Sequence, residues 1–256
     1  MYKPVHGGDI YSEQNKGSGK NLVDYSANVN PLGLPASVKD AIKNSIKNCV
    51  NYPDPLCREL TEKLARYLNV KKEQLFISNG AADVLFKLAL ALKPRRAVLL
   101  APTFADYEKA LRTVDCKFTY YDLQEENNFV AENDLLKKIN SRVDLVVICN
   151  PNNPTGKLMD KDLLLELLEK CCRTGTRLLV DECFMDFVDT EKAYSLSSKL
   201  EKYHNLIILK AFTKTYAMPG LRLGYCITAD AELIRGLHEN GQDWNVSVPA
   251  QAAGIA

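Results

Sequence analysis

Four short strings in this 256-residue chain bring reactive or ligand-holding residue types together at turns. Lys214 stands in Lys210-Ala211-Phe212-Thr213-Lys214-Thr215-Tyr216-Ala217-Met218-Pro219-Gly220-Leu221-Arg222, just after the apolar run Leu206-Ile207-Ile208-Leu209. An amine among hydroxyl and apolar neighbours loses hydration, so its pKa falls and its free base can condense with a carbonyl. Asp181, followed by Glu182, ends the run Arg177-Leu178-Leu179-Val180. A carboxylate at the tip of a buried strand is costly unless a cation partners it, and a protonated heterocycle would serve. Ser78-Asn79-Gly80-Ala81-Ala82-Asp83 reads as strand end, glycine turn and helix start, where free N–H groups and the helix dipole suit a phosphate. Asn150-Pro151-Asn152-Asn153-Pro154-Thr155-Gly156 is a stiff string in which prolines fix φ and a glycine frees it. It can hold an asparagine amide at the carboxyl end of a sheet, the edge where ligands gather. Each string alone also has a structural reading, as a solvated lysine, a helix cap, a packed βα turn or a plain turn.

The elements around these strings predict an α/β domain. Leu56, Leu60, Leu64 and Leu68 recur every four residues and predict a helix. Beyond it, strand-like runs at 75–78, 97–100, 143–149, 177–180, 206–209 and 222–228 alternate with helical stretches at 82–92, 104–112 and 161–172. The run Val143-Asp144-Leu145-Val146-Val147-Ile148-Cys149 is apolar on both faces, as in a mainly parallel sheet flanked by helices. Residues 1–35 are rich in Gly, Asn, Pro and Ser without a sustained period. The expected organisation is an arm over 1–40 and one large domain over 41–256.

Composition excludes several function classes. Lysine plus arginine (33) nearly balance aspartate plus glutamate (32), so no field favours nucleic acid or an acidic membrane surface. No apolar run approaches the roughly 20 residues of a membrane span, and the opening Met-Tyr-Lys-Pro-Val-His-Gly-Gly lacks a signal peptide's apolar stretch. A cytoplasmic location is expected. The 8 cysteines include no Cys-x-x-Cys pair, and His6, His204 and His238 are far apart, so reduced thiols and no metal site are expected.

In this order and spacing, the four strings resemble the class I and II aminotransferase superfamily, the fold-type I pyridoxal 5′-phosphate enzymes. The resemblance covers nearly the whole chain. It implies that Lys214 carries the cofactor as a Schiff base and later moves protons, and that Asp181 pairs with the pyridine nitrogen. It further implies that Asn153 bonds the ring's phenolic oxygen and that Gly80, Ala81, Ala82, Thr213 and Arg222 hold the phosphate. Phe104 would stack on the ring, with Tyr107 as its nearest competitor. Tyr52, in Tyr52-Pro53-Asp54-Pro55, matches a tyrosine that reaches the neighbouring subunit's cofactor, which implies a homodimer. Two positions depart from the pattern: Phe184 replaces a common tyrosine, and Ala211 a common phosphate-binding serine or threonine. Relatives also continue past Trp244-Asn245-Val246-Ser247-Val248-Pro249 into a small domain with an arginine for the substrate carboxylate, a domain expected to be absent from these residues.

His6-Gly7-Gly8 and Asp24-Tyr25-Ser26-Ala27-Asn28-Val29-Asn30-Pro31-Leu32-Gly33 resemble one branch, the threonine-phosphate decarboxylases of cobalamin biosynthesis. Asp181-Glu182-Cys183-Phe184 with Asp186-Phe187 also looks like that branch. The resemblance implies a small phosphorylated amino acid as substrate, contacted by His6, Gly7, Asn28 and Asn153, and decarboxylated to aminopropanol phosphate. The alternative within the superfamily is an aminotransferase resembling histidinol-phosphate aminotransferase. The alternative outside catalysis is a pyridoxal-phosphate-binding module or an inactive fragment.

Overall fold

The computed structural model describes residues 7–14, 23–190 and 194–256. Seven strands form one sheet: β1 (Leu75–Ser78), β2 (Arg96–Ala101), β3 (Lys117–Asp122), β4 (Leu145–Cys149), β5 (Arg177–Asp181), β6 (Leu206–Ala211) and β7 (Gly224–Thr228). Their spatial order is β1-β7-β6-β5-β4-β2-β3, and β7 alone runs antiparallel to its neighbours. The helices are α1 (Ile10–Gln14), α2 (Ala36–Ser45), α3 (Arg58–Leu68), α4 (Ala81–Leu92), α5 (Asp106–Arg112), α6 (Lys161–Thr174), α7 (Ala231–Glu239) and α8 (Val248–Ile255).

The apolar runs are continuous because both faces of the sheet are covered. Val146, Ile148, Leu178, Val180, Leu206 and Ile208 pack into one core with the leucines of α3 and α6. Their neighbours Leu145, Val147, Leu179, Ile207 and Leu209 join a second core with α4, α5 and α7. Alternate residues of a strand point to opposite faces, so a two-layer cover needs apolar side chains at every position. Local signals end the elements: Asp160 caps α6 by accepting from the Asp162 and Leu163 N–H groups at 2.9 and 3.1 Å, and Gly175 closes it at φ 72°.

The topology gathers the chemistry-bearing strings on one edge. The parallel strands β2, β4, β5 and β6 end there, so Pro102–Phe104, Asn150–Gly156, Asp181 and Thr213–Lys214 all emerge on the same side. Ser78 and Ala211 both pair with Gly224, which brings the Gly80 turn beside the Lys214 turn.

Some sequence expectations shift. Leu56 is exposed and precedes α3, leaving Leu60 and Leu64 as its buried stripe. The helix expected from Phe104 starts at Asp106, and the strand expected from Arg222 starts at Gly224, because Arg222 takes left-handed backbone at φ 57°. Strand β3, paired only with β2, carries no apolar run because most of its residues are exposed, whereas β1 at the other edge is buried throughout. Helices α2, α7 and α8 lie outside the helical and strand-like stretches expected from the sequence. All eight cysteines are free thiols. Among the described residues, no helix is long and apolar enough to cross a membrane, and no cluster of three ligating side chains could hold a metal.

Candidate active site

One corner of this edge is shaped for an anion. Gly80 precedes α4 at φ 92° and offers no side chain to cap it, so the first-turn amides of Ala81 and Ala82 have no intrahelical acceptor. A Cβ at Gly80 would stand 2.7 Å from Arg222 Nη2, so the guanidinium lies directly over the turn. A Cβ at Gly224 would overlap the Ala81 nitrogen; glycine is what allows β7 to approach the start of α4. Ala211 is buried opposite Gly224, and Thr213 is buried two residues on.

Next to it lies a buried carboxylate in want of a cation. Asp181 is 6% exposed. Its Oδ2 accepts from the Tyr107 hydroxyl at 2.6 Å and its Oδ1 from the Cys183 N–H at 2.9 Å. No ion pair among the described residues includes it. Burial pushes its carboxyl above the ordinary range, against the pull of Cys183, Tyr107 and Lys214. A cation placed against it would restore the ionised form. The flanking thiols stay protonated: burial and the Asp181 charge push Cys149 up to about 12, and Cys183 well above its usual value. Glu182 turns away, accepting from Ser195 Oγ at 2.8 Å and the Leu196 N–H at 3.0 Å.

Lys214 is half-buried, with Nζ 5.5 Å from the centroid of the Phe184 ring. Burial lowers its pKa; Arg222 adds to that, while Cys183 and Asp181 oppose it. A half-buried amine of lowered pKa has some of the free-base character that a Schiff-base nucleophile needs. Lys210, four residues earlier, is instead ion-paired with Asp186 at 2.8 Å.

The remaining predicted residues fall into three groups. Phe104 is half-buried at the same edge, meeting Tyr107 edge-on with centroids 5.6 Å apart. Asn153 is half-buried, its N–H donating to Cys149 Sγ at 3.4 Å. The neighbouring Asn152 pins the two loops together: its Nδ2 donates to the Pro102 carbonyl at 3.0 Å, and its Oδ1 accepts from the Thr103 hydroxyl at 3.0 Å. Tyr52 is not brought to this cluster through its own chain; it is 77% exposed and stacks on Trp244 at 4.5 Å. Gly7 packs against the backbone of Ser26, where a Cβ would not fit, and Asn28 is exposed. His6 lies outside the described residues.

Two residues have roles that the sequence did not reveal. Tyr107, expected to compete with Phe104 for a stacking position, is instead fully buried with its hydroxyl on Asp181. Asn30, readable only as part of a turn, ties the arm to the lysine: its N–H donates to the Lys214 carbonyl at 3.0 Å and its Nδ2 to the Thr215 carbonyl at 2.9 Å. Both partners are far away in the chain, so no local spacing could have disclosed them.

Comparison with known proteins finds relatives over nearly the whole chain. A family model described as aminotransferase class I and II matches residues 20–256. Threonine-phosphate decarboxylase of Salmonella typhimurium is 33% identical over 99% of this chain and 70% of its own length. Histidinol-phosphate aminotransferase 1 of Bacillus cereus is 32% identical over 92% of this chain, which spans 63% of that protein. Among solved structures, the histidinol-phosphate aminotransferase of Clostridium acetobutylicum superimposes with a TM-score of 0.84 at 31% identity, covering 91% of this chain and 68% of that one.

Proposed function

Because the chain belongs to the class I and II aminotransferase family, we propose that it is the cofactor-binding part of a pyridoxal-phosphate-dependent decarboxylase acting on O-phospho-L-threonine. The observation that carries this reading is the pair of hydrogen bonds from Asn30 to the Lys214 and Thr215 carbonyls. They place the Ser26–Gly33 segment, whose residue pattern resembles the decarboxylase branch, against the turn that bears the reactive amine.

The residues present fit pyridoxal 5′-phosphate. The phosphate matches the uncapped Ala81 and Ala82 amides, the Arg222 guanidinium and Thr213, and the ring nitrogen answers the unpaired burial of Asp181. Phe104 supplies a stacking face, and Asn153 a polar contact for the ring's phenolic oxygen. When bound, the cofactor supplies an electron sink for a bond broken at the substrate's α-carbon.

The chain's own residues then govern which bond breaks and where protons go. Ionised Asp181 keeps the heterocycle nitrogen protonated, and Tyr107 and the Cys183 N–H hold that carboxylate in place. Lys214, half-buried and with its pKa lowered by burial, would hold the cofactor's aldehyde and, as a free amine, would carry a proton to the substrate's α-carbon. Residues 1–40, with His6, Gly7, Asn28 and Asn153, are assigned to the remote end of the substrate. Holding that end would set which bond at the α-carbon faces the cofactor's electron sink and so which group is released.

A cytoplasmic homodimer is the assembly this reading implies. The exposed Tyr52–Trp244 stack is an apolar feature that a second copy would cover. Transamination of a phosphorylated amino substrate is the second reading, supported by the likeness to histidinol-phosphate aminotransferases. The full-length protein with pyridoxal phosphate decides between them. Carbon dioxide released from O-phospho-L-threonine without a keto acid supports decarboxylation; amino transfer that requires 2-oxoglutarate supports the second reading.

A further inference from the structure

Behind the Gly80 turn lies a polar knot that the mechanism above does not use. Ser78 is fully buried at the end of β1. Its hydroxyl donates to Asp83 Oδ2 and accepts from Lys87 Nζ at 3.2 Å and from Asn245 Nδ2 at 2.6 Å. Lys87 Nζ lies 3.3 Å from Asp83 Oδ2, and Asn245 Nδ2 lies 3.2 Å from the same oxygen. The Lys87 side chain is only 7% exposed, with its ammonium 5.3 Å from the Phe76 ring centroid. A Cβ at Gly241 would overlap Lys87 Cε, so the segment between α7 and α8 closes over the lysine.

The position of Asp83 makes this pair more than a fold contact. It is the third residue of α4, in the same turn whose Ala81 and Ala82 amides face the anion corner. A carboxylate there gains from the helix dipole, yet it competes for that field with any incoming anion. Burial alone would raise the Asp83 carboxyl, but the Ser78 hydroxyl, Lys87 and Asn245 outweigh it and hold it below the usual range. The turn therefore carries a fixed negative charge beside the place where a phosphate dianion is to sit. The only cation that the described ion pairs give Asp83 is Lys87.

We propose that Lys87 is a positioning residue that neutralises Asp83 and so keeps the first turn of α4 receptive to the cofactor's phosphate, with Ser78 and Asn245 holding the pair against the turn. This rests on the reading of the site as a pyridoxal-phosphate pocket. Lys87→Met and Asp83→Asn break the same ion pair. A purely structural role weakens binding in both variants, whereas a charge role weakens it in Lys87→Met and not in Asp83→Asn.

The test uses the full-length protein stripped of cofactor and titrated separately with pyridoxal phosphate and with pyridoxal, which lacks the phosphate. Visible absorbance of the lysine-bound cofactor reports occupancy, and circular dichroism reports folding. Lys87→Met is expected to weaken pyridoxal phosphate binding about tenfold while leaving pyridoxal within about twofold. Asp83→Asn should bind pyridoxal phosphate at least as tightly as the parent, and the double variant should return to within about threefold of it. Equal weakening by the two single substitutions, or equal loss of both ligands in Lys87→Met, overturns the proposal. If Lys87→Met does not fold, Asp83→Asn decides: weaker pyridoxal phosphate binding overturns the charge role, and equal or tighter binding supports it. An unsubstituted protein that captures neither ligand removes the parent reading itself, and this proposal with it.

Discussion

Replacing Tyr107 by phenylalanine removes one hydroxyl from the interior and little else. The ring keeps its shape, so its edge-on contact with Phe104 survives and the core loses only an oxygen. What disappears is the 2.6 Å hydrogen bond to Asp181 Oδ2, while Cys183 still donates to the carboxylate, its N–H at 2.9 Å. A hydrogen bond to an ionised acceptor contributes about 1.5–3 kcal/mol. The hydroxyl favours the ionised carboxylate, so without it a proton shared with the heterocycle nitrogen shifts toward Asp181 and the cationic ring becomes scarcer. If the full energy is felt in the transition state, kcat falls about 10- to 150-fold. KM for O-phospho-L-threonine, which Asp181 is not assigned to contact, should change by less than about threefold. Steady-state kinetics on the full-length protein measures that split, and the pH dependence of the cofactor's visible absorbance follows the nitrogen. A kcat within about twofold of the parent, with an unaltered pH titration, would refute this reasoning and leave Tyr107 as a packing residue.

Three other substitutions have expected outcomes. Lys214→Ala should abolish the visible absorbance of lysine-bound cofactor and turnover while the circular dichroism spectrum stays that of the parent; an unchanged absorbance would remove Lys214 from its assigned role. Asp181→Asn should cut turnover by at least about 100-fold. It should also raise the melting temperature of the cofactor-free protein at neutral pH. Burial raises the folded-state pKa of Asp181, so its contribution to stability is present below the unfolded value of about 3.9 and lost as pH rises through the raised folded value. Melting curves of both forms from acid to neutral pH check this, and coincident curves at neutral pH contradict it. Asn30→Ala deletes the 2.9 Å bond to the Thr215 carbonyl and should lower kcat/KM about 2- to 12-fold, with cofactor affinity within about twofold. A matching loss of cofactor would show that the tether serves the fold rather than the substrate.

Local chemistry explains why much of this site is legible in order along the chain. Lys214, Asp181, Gly80 and the Asn150–Gly156 string each sit where an apolar strand stops, and such stops are visible as a change in residue type. The same runs disclose a sheet covered on both faces, because burial on each side leaves apolar residues at every position of β4 and at Leu206–Leu209 of β6. Strand β3 escapes this logic: most of its residues are exposed, so Lys117–Asp122 shows no continuous apolar run.

What the amino-acid order determines by itself is therefore which residue types stand at the ends of buried strands, since hydrophobic periodicity and turn chemistry act over a few neighbours. Which of those ends meet is decided only in three dimensions. Tyr107 reaches Asp181 across 74 positions, Asn30 reaches Thr215 across 185, and Asn245 reaches Ser78 across 167. Each of these bonds joins groups set side by side by sheet order and helix packing, and a hydrogen bond's energy depends on that distance and angle rather than on separation along the chain.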